Sequence, residues 1–294
     1  MKSPFPYFGG KSRVAKLVWQ RFGRVKNYIE PFCGSAAMLL NAPRQANLEV
    51  ICDLNLYIAN FWRAVKYQPD ATWAEADYPV SHIDQSARHW WLTDPERVAD
   101  LQDRLLDPEW PGDPRIAGWW LWGQCSWIGK GWCDKITGRR LGPIPHISNI
   151  GMGVQSTSGG AQLVAELSAR LERVRVLHGA WDRCVNTRYG LEGGGICAVF
   201  LDPPYRGFER LYSKQVPVAA HCEAWCRETE QDRLRVALCG HIGDYDLPGW
   251  DVVRWSRVRS TYNSTKTKNQ EAIWFSPACL KEETNTKRIF SRVG

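Results

Sequence analysis

The chain has 294 residues, of which 44% are apolar and 23% are charged, and this composition excludes an intrinsically disordered protein. The length allows one large domain or one domain with a substantial insertion. The formal net charge of +7 is compatible with a polyanionic partner without requiring one. Residues 1–10 contain prolines and aromatic rings in place of an apolar leader, and apolar runs stay short of membrane-spanning length. We therefore expect a cytoplasmic protein that does not bind membranes.

The ten cysteines are scattered along the chain, and none forms a CxxC pair. Some, such as Cys197 and Cys239, lie in apolar runs, where a free thiol behaves as a small buried hydrophobe. This usage favours a reducing compartment over a disulfide framework. The spacing of His221, Cys222 and Cys226 matches no complete zinc ligand set, so we predict no metal site.

The first part of the chain alternates between predicted helices and strands. An amphipathic helix is predicted over residues 11–22, followed by a strand around Tyr28-Ile29 and a tight turn over Glu30–Ser35. A helix over 36–41, a strand over 48–52 and a helix over 55–66 follow. This βαβα pattern predicts a parallel sheet covered by helices.

The alternation stops at residues 67–160, which hold nine of the sixteen tryptophans together with many prolines and glycines. It resumes with a helix over 161–171 and five strands, over 174–177, 196–201, 235–238, 252–255 and 272–275. We therefore predict a discontinuous α/β domain, residues 1–66 and 161–294, split by a mainly helical or irregular insertion, residues 67–160. Most tryptophans at 90–127 are expected in the core of the insertion, and one or two could stack on or wedge into a nucleic acid.

The most informative motif is Asp202-Pro203-Pro204-Tyr205, which follows the apolar strand ending at Leu201. The Asp202 carboxylate can accept one N–H of an exocyclic amine, and a carbonyl fixed by proline geometry can accept the other. The Tyr205 ring can lie against the face of a flat heterocycle. The motif therefore predicts a site that grips the amino group of a base.

Gly34 lies in the turn after the first strand, and Asp53 ends the second strand 19 residues later. Ligands of open α/β sheets bind beyond the carboxyl ends of the strands, and an acid at this place suits ribose hydroxyls. Asp53 could instead be the N-cap of the following helix, with Asn55 as the competing cap. The turn lacks the GxGxxG pattern, which argues against a nicotinamide-dependent dehydrogenase.

Four motifs together resemble the Dam-type (D12 class) DNA adenine-N6 methyltransferases in content and order: Tyr-Phe-Gly-Gly-Lys (7–11), Glu-Pro-Phe-Cys-Gly-Ser (30–35), Cys-Asp-Leu-Asn (52–55) and Leu-Asp-Pro-Pro-Tyr (201–205). The resemblance implies a Rossmann-like methyltransferase sheet, S-adenosylmethionine as cofactor, double-stranded DNA as partner, and a target-recognition domain in the insertion. By motif it assigns cofactor contacts to Tyr7, Lys11, Phe32, Gly34, Asp53, Asp182 and Asp202, and catalysis to Asp202, Pro203, Pro204 and Tyr205. Tyr7 stands where tryptophan is common in the family, and Ser35-Ala36 where a second glycine is frequent.

Two basic segments are rich in the cations and hydroxyl groups that suit a DNA backbone, although such runs are often only solvated faces. The predicted DNA-binding residues are Lys130, Lys135, Arg139, Arg140, Arg257, Arg259, Lys266 and Lys268. We expect a monomer or weak dimer.

Three alternatives stay open on these motifs. N4-cytosine DNA methyltransferases and protein glutamine methyltransferases use related Pro-Pro-Tyr motifs, but they usually carry Ser or Asn at the position of Asp202. The chain could also be a DNA-binding or protective module with an inactive methyltransferase core. These motifs do not indicate whether the protein acts with a nuclease, as in a restriction-modification system.

Overall fold

The computed structural model describes residues 1–7, 10–127, 132–133, 159–185, 194–205, 218–229, 232–255 and 271–281. The strands in this part of the chain are β1 (Asn27–Glu30), β2 (Leu48–Asp53), β3 (Val174–His178), β4 (Cys197–Leu201), β5 (Leu234–His241), β6 (Asp251–Trp255) and β7 (Glu271–Phe275). The helices are α1 (Ala15–Phe22), α2 (Ala37–Leu40), α3 (Leu56–Tyr67), α4 (Pro69–Ala76), α5 (His82–Leu92), α6 (Pro95–Arg104), α7 (Pro114–Ser126), α8 (Gly160–Leu171), α9 (Asp182–Val185) and α10 (Val218–Glu228).

The seven strands form one mixed sheet in the order β3-β2-β1-β4-β5-β7-β6. β1 and β4 pair in parallel, as do β4 and β5, which confirms the predicted parallel arrangement for these strands. β7 lies between β5 and β6 and is antiparallel to both, which the sequence pattern did not predict. Composition and periodicity indicate that a strand exists, but its direction depends on how the chain returns to the sheet.

The chain forms two compact units. The first consists of Met1–Lys11, Cys33–Leu40 and Val50–Trp181, and the second of Ser12–Phe32, Asn41–Glu49 and Asp182–Gly294. Helices α4 to α7 of the predicted insertion belong to the first unit together with α3 and α8. The division of the chain at residues 66 and 160 stays a prediction.

The core of the first unit is an aromatic cluster that joins α3 and α7 to the N-terminal segment. The Phe5 ring lies 4.9 Å from the Trp120 ring and 5.3 Å from the Phe61 ring, centroid to centroid, and Trp62 is fully buried beside them. Lys66 extends from α3 and donates from Nζ to the Val174 carbonyl at 2.8 Å, which fixes the helix against β3. Packing of large rings at this density holds the helix in place.

Helices α5, α6 and α7 begin at side-chain caps. Ser81 accepts from the amide of Asp84, Asp94 from that of Arg97, and Asp113 from that of Ile116. Proline follows the cap of α6 and of α7, where its missing N–H costs nothing and its fixed φ suits the first helical turn. Of the seven tryptophans at 90–127, three are buried (Trp120, Trp122 and Trp127), three are half-buried (Trp91, Trp110 and Trp119) and Trp90 is 51% exposed, so fewer are fully buried than expected.

The second unit is built on β1, β4, β5, β7 and β6. Every residue of β4 and of β7 is buried. Arg21 of α1 is buried with its guanidinium 2.6 Å from the Asp251 carboxylate and 4.5 Å above the Phe275 ring. A buried guanidinium needs such partners because desolvation is costly.

None of the described helices is long and apolar enough to cross a membrane.

Candidate active site

Gly34 is held in the turn after β1 by contacts on three sides. Its amide donates to Asp53 Oδ2 at 2.9 Å, and its carbonyl accepts from Trp62 Nε1 at 2.9 Å. Its φ is +47°, and a Cβ there would lie 2.4 Å from Cε1 of Tyr7. Only glycine fits both the left-handed backbone and the close approach of the Tyr7 ring.

Asp53 ends β2 with both carboxylate oxygens on backbone amides. Oδ2 accepts from Gly34, and Oδ1 accepts from the amide of Asn55 at 2.9 Å. Burial raises the pKa of Asp53 to about 6, and the amides of Asn55, Gly34 and Leu54 oppose that rise. Asn55 is the N-cap of α3, since its side chain accepts from the amides of Tyr57 and Ile58. Asp53 therefore serves the turn of Gly34, and the competing interpretation of Asp53 as the helix cap is wrong.

A backbone hydrogen bond links Tyr7 to the residue before Lys11, since the Gly10 amide donates to the Tyr7 carbonyl at 3.1 Å. The Tyr7 ring is half-buried and also meets the Phe5 ring edge-on at 6.1 Å, which ties it to the aromatic core. Lys11 is only 3% exposed, which is uncommon for a lysine. Three of the predicted cofactor residues are therefore neighbours in space within the first unit: the Tyr7 ring lies against Gly34, and the Gly34 amide donates to Asp53.

An exposed apolar side chain lies next to Asp53. Leu54 follows Asp53 and is 59% exposed, while its carbonyl lies 3.2 Å from Nε2 of His178 at the end of β3. The Asp53 carbonyl accepts from the Gly179 amide at 3.2 Å, so the ends of β2 and β3 are joined. A flat apolar ligand has a surface to rest on at this strand end.

In the second unit, Asp202 to Tyr205 leave the carboxyl end of β4 as the sequence predicts. Asp202 and Tyr205 are half-buried and Pro203 is buried. The neighbouring parallel strand β1 ends at Glu30, which is 2% exposed and accepts from the Tyr28 hydroxyl at 2.9 Å. The carboxyl ends of adjacent parallel strands meet at one edge of a sheet, which is where α/β proteins bind ligands.

Tyr205 has two partners that sequence reasoning missed. Its hydroxyl donates to Oε2 of Glu271 at 3.4 Å, and its ring lies 4.6 Å from the His241 ring at an interplanar angle of 76°. The sequence held only a weak signal for them. Glu271 directly precedes the predicted strand over 272–275, and His241 lies three residues beyond the predicted strand over 235–238, at the end of the longer β5. Neither residue is close to Tyr205 in the chain.

The remaining predicted residues divide into two groups. Phe32 is half-buried after β1, and Asp182 is exposed at the start of α9, where its carboxylate accepts from the Arg183 amide at 3.0 Å. The eight predicted DNA-binding cations lie outside the described residues. Among the described residues, no group of three or more His, Cys, Asp or Glu side chains is placed to hold a metal ion.

The sheet order, with an antiparallel seventh strand between the fifth and sixth, is typical of the S-adenosylmethionine-dependent methyltransferase fold. Within that class, the family model of the D12 class N6 adenine-specific DNA methyltransferases matches residues 7–86, which confirms the predicted resemblance over this part of the chain. The match contains Tyr7, Lys11, Phe32, Gly34 and Asp53.

No curated protein matches the chain in sequence. Among solved structures, the rRNA methyltransferase aviRa from Streptomyces viridochromogenes is similar at 14% identity, covering 95% of this chain and 88% of its own, with a TM-score of 0.35. A likeness of that strength does not bear on the function of this chain.

Proposed function

We propose that the protein is an S-adenosylmethionine-dependent DNA methyltransferase that methylates N6 of adenine. The observation that carries the proposal is Asp202-Pro203-Pro204-Tyr205 directly after β4, with Tyr205 anchored to side chains of β5 and β7. The family match over residues 7–86 supports the same class of enzyme from a separate part of the chain.

Asp202 and the Pro203 carbonyl are the proposed acceptors for the two N6 hydrogens. Adenine N6 is a poor nucleophile because its lone pair is delocalised into the ring. Two acceptors that fix the N–H bonds favour the pyramidal form and orient the lone pair. Because Pro204 follows, the ψ angle of Pro203 is restricted to extended values, which aims its carbonyl. Alignment and electrostatics then carry an in-line transfer without a covalent enzyme intermediate.

Tyr205 is the proposed stacking surface for the base. A base within a duplex hides its N6 by stacking and pairing, so it has to be flipped out before it can react. The half-buried Tyr205 ring is a flat surface with its hydroxyl already engaged. An aromatic ring recovers part of the stacking that the flipped adenine loses.

The residues of the first unit fit S-adenosylmethionine. Each carboxylate oxygen of Asp53 accepts one backbone amide and keeps a lone pair that a ribose hydroxyl can use. Leu54 offers an apolar surface next to it, and Gly34 allows close approach of backbone. We assign Tyr7 and Lys11 to the same ligand by motif. When bound, the cofactor supplies an electrophilic methyl group on a positively charged sulfur.

Charge is distributed unevenly along the chain, which refines the proposed DNA contacts. Residues 67–127 hold four Lys and Arg against eleven Asp and Glu, a net −7, whereas the rest of the chain holds 34 against 20, a net +14. An acidic surface repels phosphate, so helices α4 to α7 are poor candidates for backbone contacts. We therefore assign those contacts to the basic segments at 130–140 and 257–268.

The direct test is methyl transfer. Purified protein is incubated with radiolabelled S-adenosylmethionine and DNA from a host that lacks other methylases, and the DNA is hydrolysed to nucleosides. Label in N6-methyldeoxyadenosine is expected, and its absence after Asp202→Ala assigns the residue. Label in N4-methylcytosine would replace the proposal with a cytosine enzyme. Cofactor binding by calorimetry without any transfer would point to an inactive module.

The DNA partner is tested by salt. Binding to duplex DNA is measured between about 50 and 200 mM salt, where counterion release predicts a steep loss of affinity. Replacing Arg257, Arg259, Lys266 and Lys268 by Gln should reduce the slope of log affinity against log salt by about 3 to 4. The matched control is Arg104→Gln in the acidic helix α6, which should leave the slope unchanged. An affinity indifferent to salt would remove both basic segments from the interface.

A further inference from the structure

Tyr205 is fixed at two points that the four family-like motifs do not include. The hydroxyl donates to Oε2 of Glu271 at 3.4 Å, and the ring lies 4.6 Å from the His241 ring, centroid to centroid, in a T-shaped arrangement. These contacts act on opposite parts of one side chain, its polar tip and its ring. A rotation about the side-chain torsions of Tyr205 would break both at once.

The sheet brings the two partners together. Because β7 runs antiparallel to β5, its first residue lies at the edge where β5 ends, and Glu271 is the direct partner of His241 in the register. Side chains directly opposite each other on paired strands share one face of the sheet. Tyr205 leaves β4, the other neighbour of β5, at this same edge.

Both partners are themselves held. Glu271 is only 6% exposed at the start of β7. The His241 amide donates to Oδ2 of Asp244 at 2.6 Å, and its Nδ1 lies 3.8 Å from the same oxygen. Gly240, the residue before His241, has no room for a side chain, because a Cβ would lie 2.5 Å from Cε2 of Tyr245. The two contacts to Tyr205 thus start from fixed positions.

We propose that Glu271 and His241 are positioning residues that set the plane of the Tyr205 ring for stacking on the flipped base. The inference rests on the proposed DNA methyltransferase activity and adds two residues to it. Glu271 holds the tip of Tyr205 through a long hydrogen bond from the hydroxyl to Oε2, at 3.4 Å. His241 occupies one side of the ring, so the orientation of the surface offered to a base is defined before the base arrives.

The test compares Tyr205→Phe, Glu271→Ala, Glu271→Gln and the double variant Tyr205→Phe/Glu271→Ala. Each single removal of the hydrogen bond should raise KM for DNA and lower kcat, together about threefold in kcat/KM, because a long hydrogen bond is lost. The affinity for S-adenosylmethionine should not change. Glu271→Gln keeps an acceptor oxygen and should recover most of the activity.

The double variant tests whether Tyr205 and Glu271 act through one bond. If they do, its kcat/KM is no lower than that of the more impaired single variant. Glu223→Ala is the matched control, since Glu223 is also a buried carboxylate and accepts hydrogen bonds from Arg227 and the Asp246 amide. It should lower the melting temperature without changing KM for DNA.

The outcomes separate the two levels of the proposal. Wild-type protein that methylates no DNA overturns the proposed function and this inference with it. Active wild-type protein with unchanged kcat/KM in Glu271→Ala, or with fully additive losses in the double variant, overturns the inference alone. For His241, His241→Gln should raise KM for DNA severalfold at unchanged cofactor affinity, and a wild-type KM would remove it from the assignment.

Discussion

Asp53 ends β2 and Asp202 directly follows β4, so both are acids at the carboxyl end of a strand, yet their surroundings differ. Asp53 is buried in the first unit with one backbone amide on each oxygen. Asp202 is half-buried in the second unit, and the chain beyond it is stiffened by two prolines and an anchored tyrosine. Each oxygen of the Asp53 carboxylate accepts a backbone amide. The Asp202 carboxylate is carried on a segment whose backbone two prolines restrict.

This difference fits two different tasks. A group that binds the same two hydroxyls in every turnover gains from a fixed geometry, which lowers the cost of ordering on binding. A group that grips an amine has to be aimed at the base, and a stiff backbone favours a defined aim. Variants around Asp53 should therefore change cofactor affinity, and variants around Asp202 should change the rate of transfer.

The largest expected effect comes from Asp202→Ala. Removing an acceptor that stabilises the reacting amine should lower kcat by about 10³-fold, as loss of a preorganised electrostatic partner does. Single-turnover transfer with saturating cofactor and DNA measures the step. Cofactor affinity should stay within about twofold by calorimetry. A variant that retains most of its turnover would contradict the assignment of Asp202.

The next effect is that of Gly34→Ala. The new methyl group must occupy a left-handed backbone position and displace the Tyr7 ring, so the free energy of unfolding should fall by about 2–3 kcal/mol. Cofactor affinity should fall at least tenfold. Gly249→Ala is the control, because Gly249 also has a positive φ of +83° but nothing within 4 Å. It should cost about 1 kcal/mol by urea denaturation and leave cofactor binding intact.

A third effect concerns pH and Asp53. Its folded pKa of about 6 exceeds the ordinary value of 3.8, so the folded state holds a proton that the unfolded chain has lost. The free energy of unfolding should therefore fall as pH rises from about 4 to about 6 and then level off. Asp53→Asn should abolish this fall, which denaturation across the pH range measures.

The same titration should govern cofactor binding. Ribose hydroxyls donate best to the ionised carboxylate, so affinity should rise about tenfold between about pH 5 and pH 7. Calorimetry at several pH values measures it, and Asp53→Asn should bind weakly and without this dependence. An affinity that is flat in the wild-type protein would separate Asp53 from the ribose.

The smallest effect is expected from Pro204→Ala. Without the ring of Pro204, the ψ angle of Pro203 is less restricted and its carbonyl is less well aimed, so kcat should fall about three- to tenfold. Cofactor affinity should be unchanged. If this variant weakened cofactor binding as much as Gly34→Ala does, the proposed separation of tasks between the two regions would be wrong.

Local sequence determined the elements that carry the motifs. The strands predicted over 48–52 and 196–201 are present as β2 and β4, and Asp53 and Asp202 stand at their ends. Both predictions rest on short-range rules: apolar runs of β-branched residues form buried strands, and polar residues follow where they end. The four helices of 67–126 were less clear, because Asp94-Pro95 and Asp113-Pro114 look like loop signals, although they are helix starts.

Tertiary structure decided everything that joins residues distant in the chain. The choice between Asp53 and Asn55 as the cap of α3 was settled by the Gly34 amide, which occupies Asp53. Glu271 reaches Tyr205 because β7 lies antiparallel beside β5, and His241 reaches it because β5 pairs with β4. Periodicity reports which face of an element is buried, but not which strand lies beside which, since pairing is selected by packing of the whole sheet.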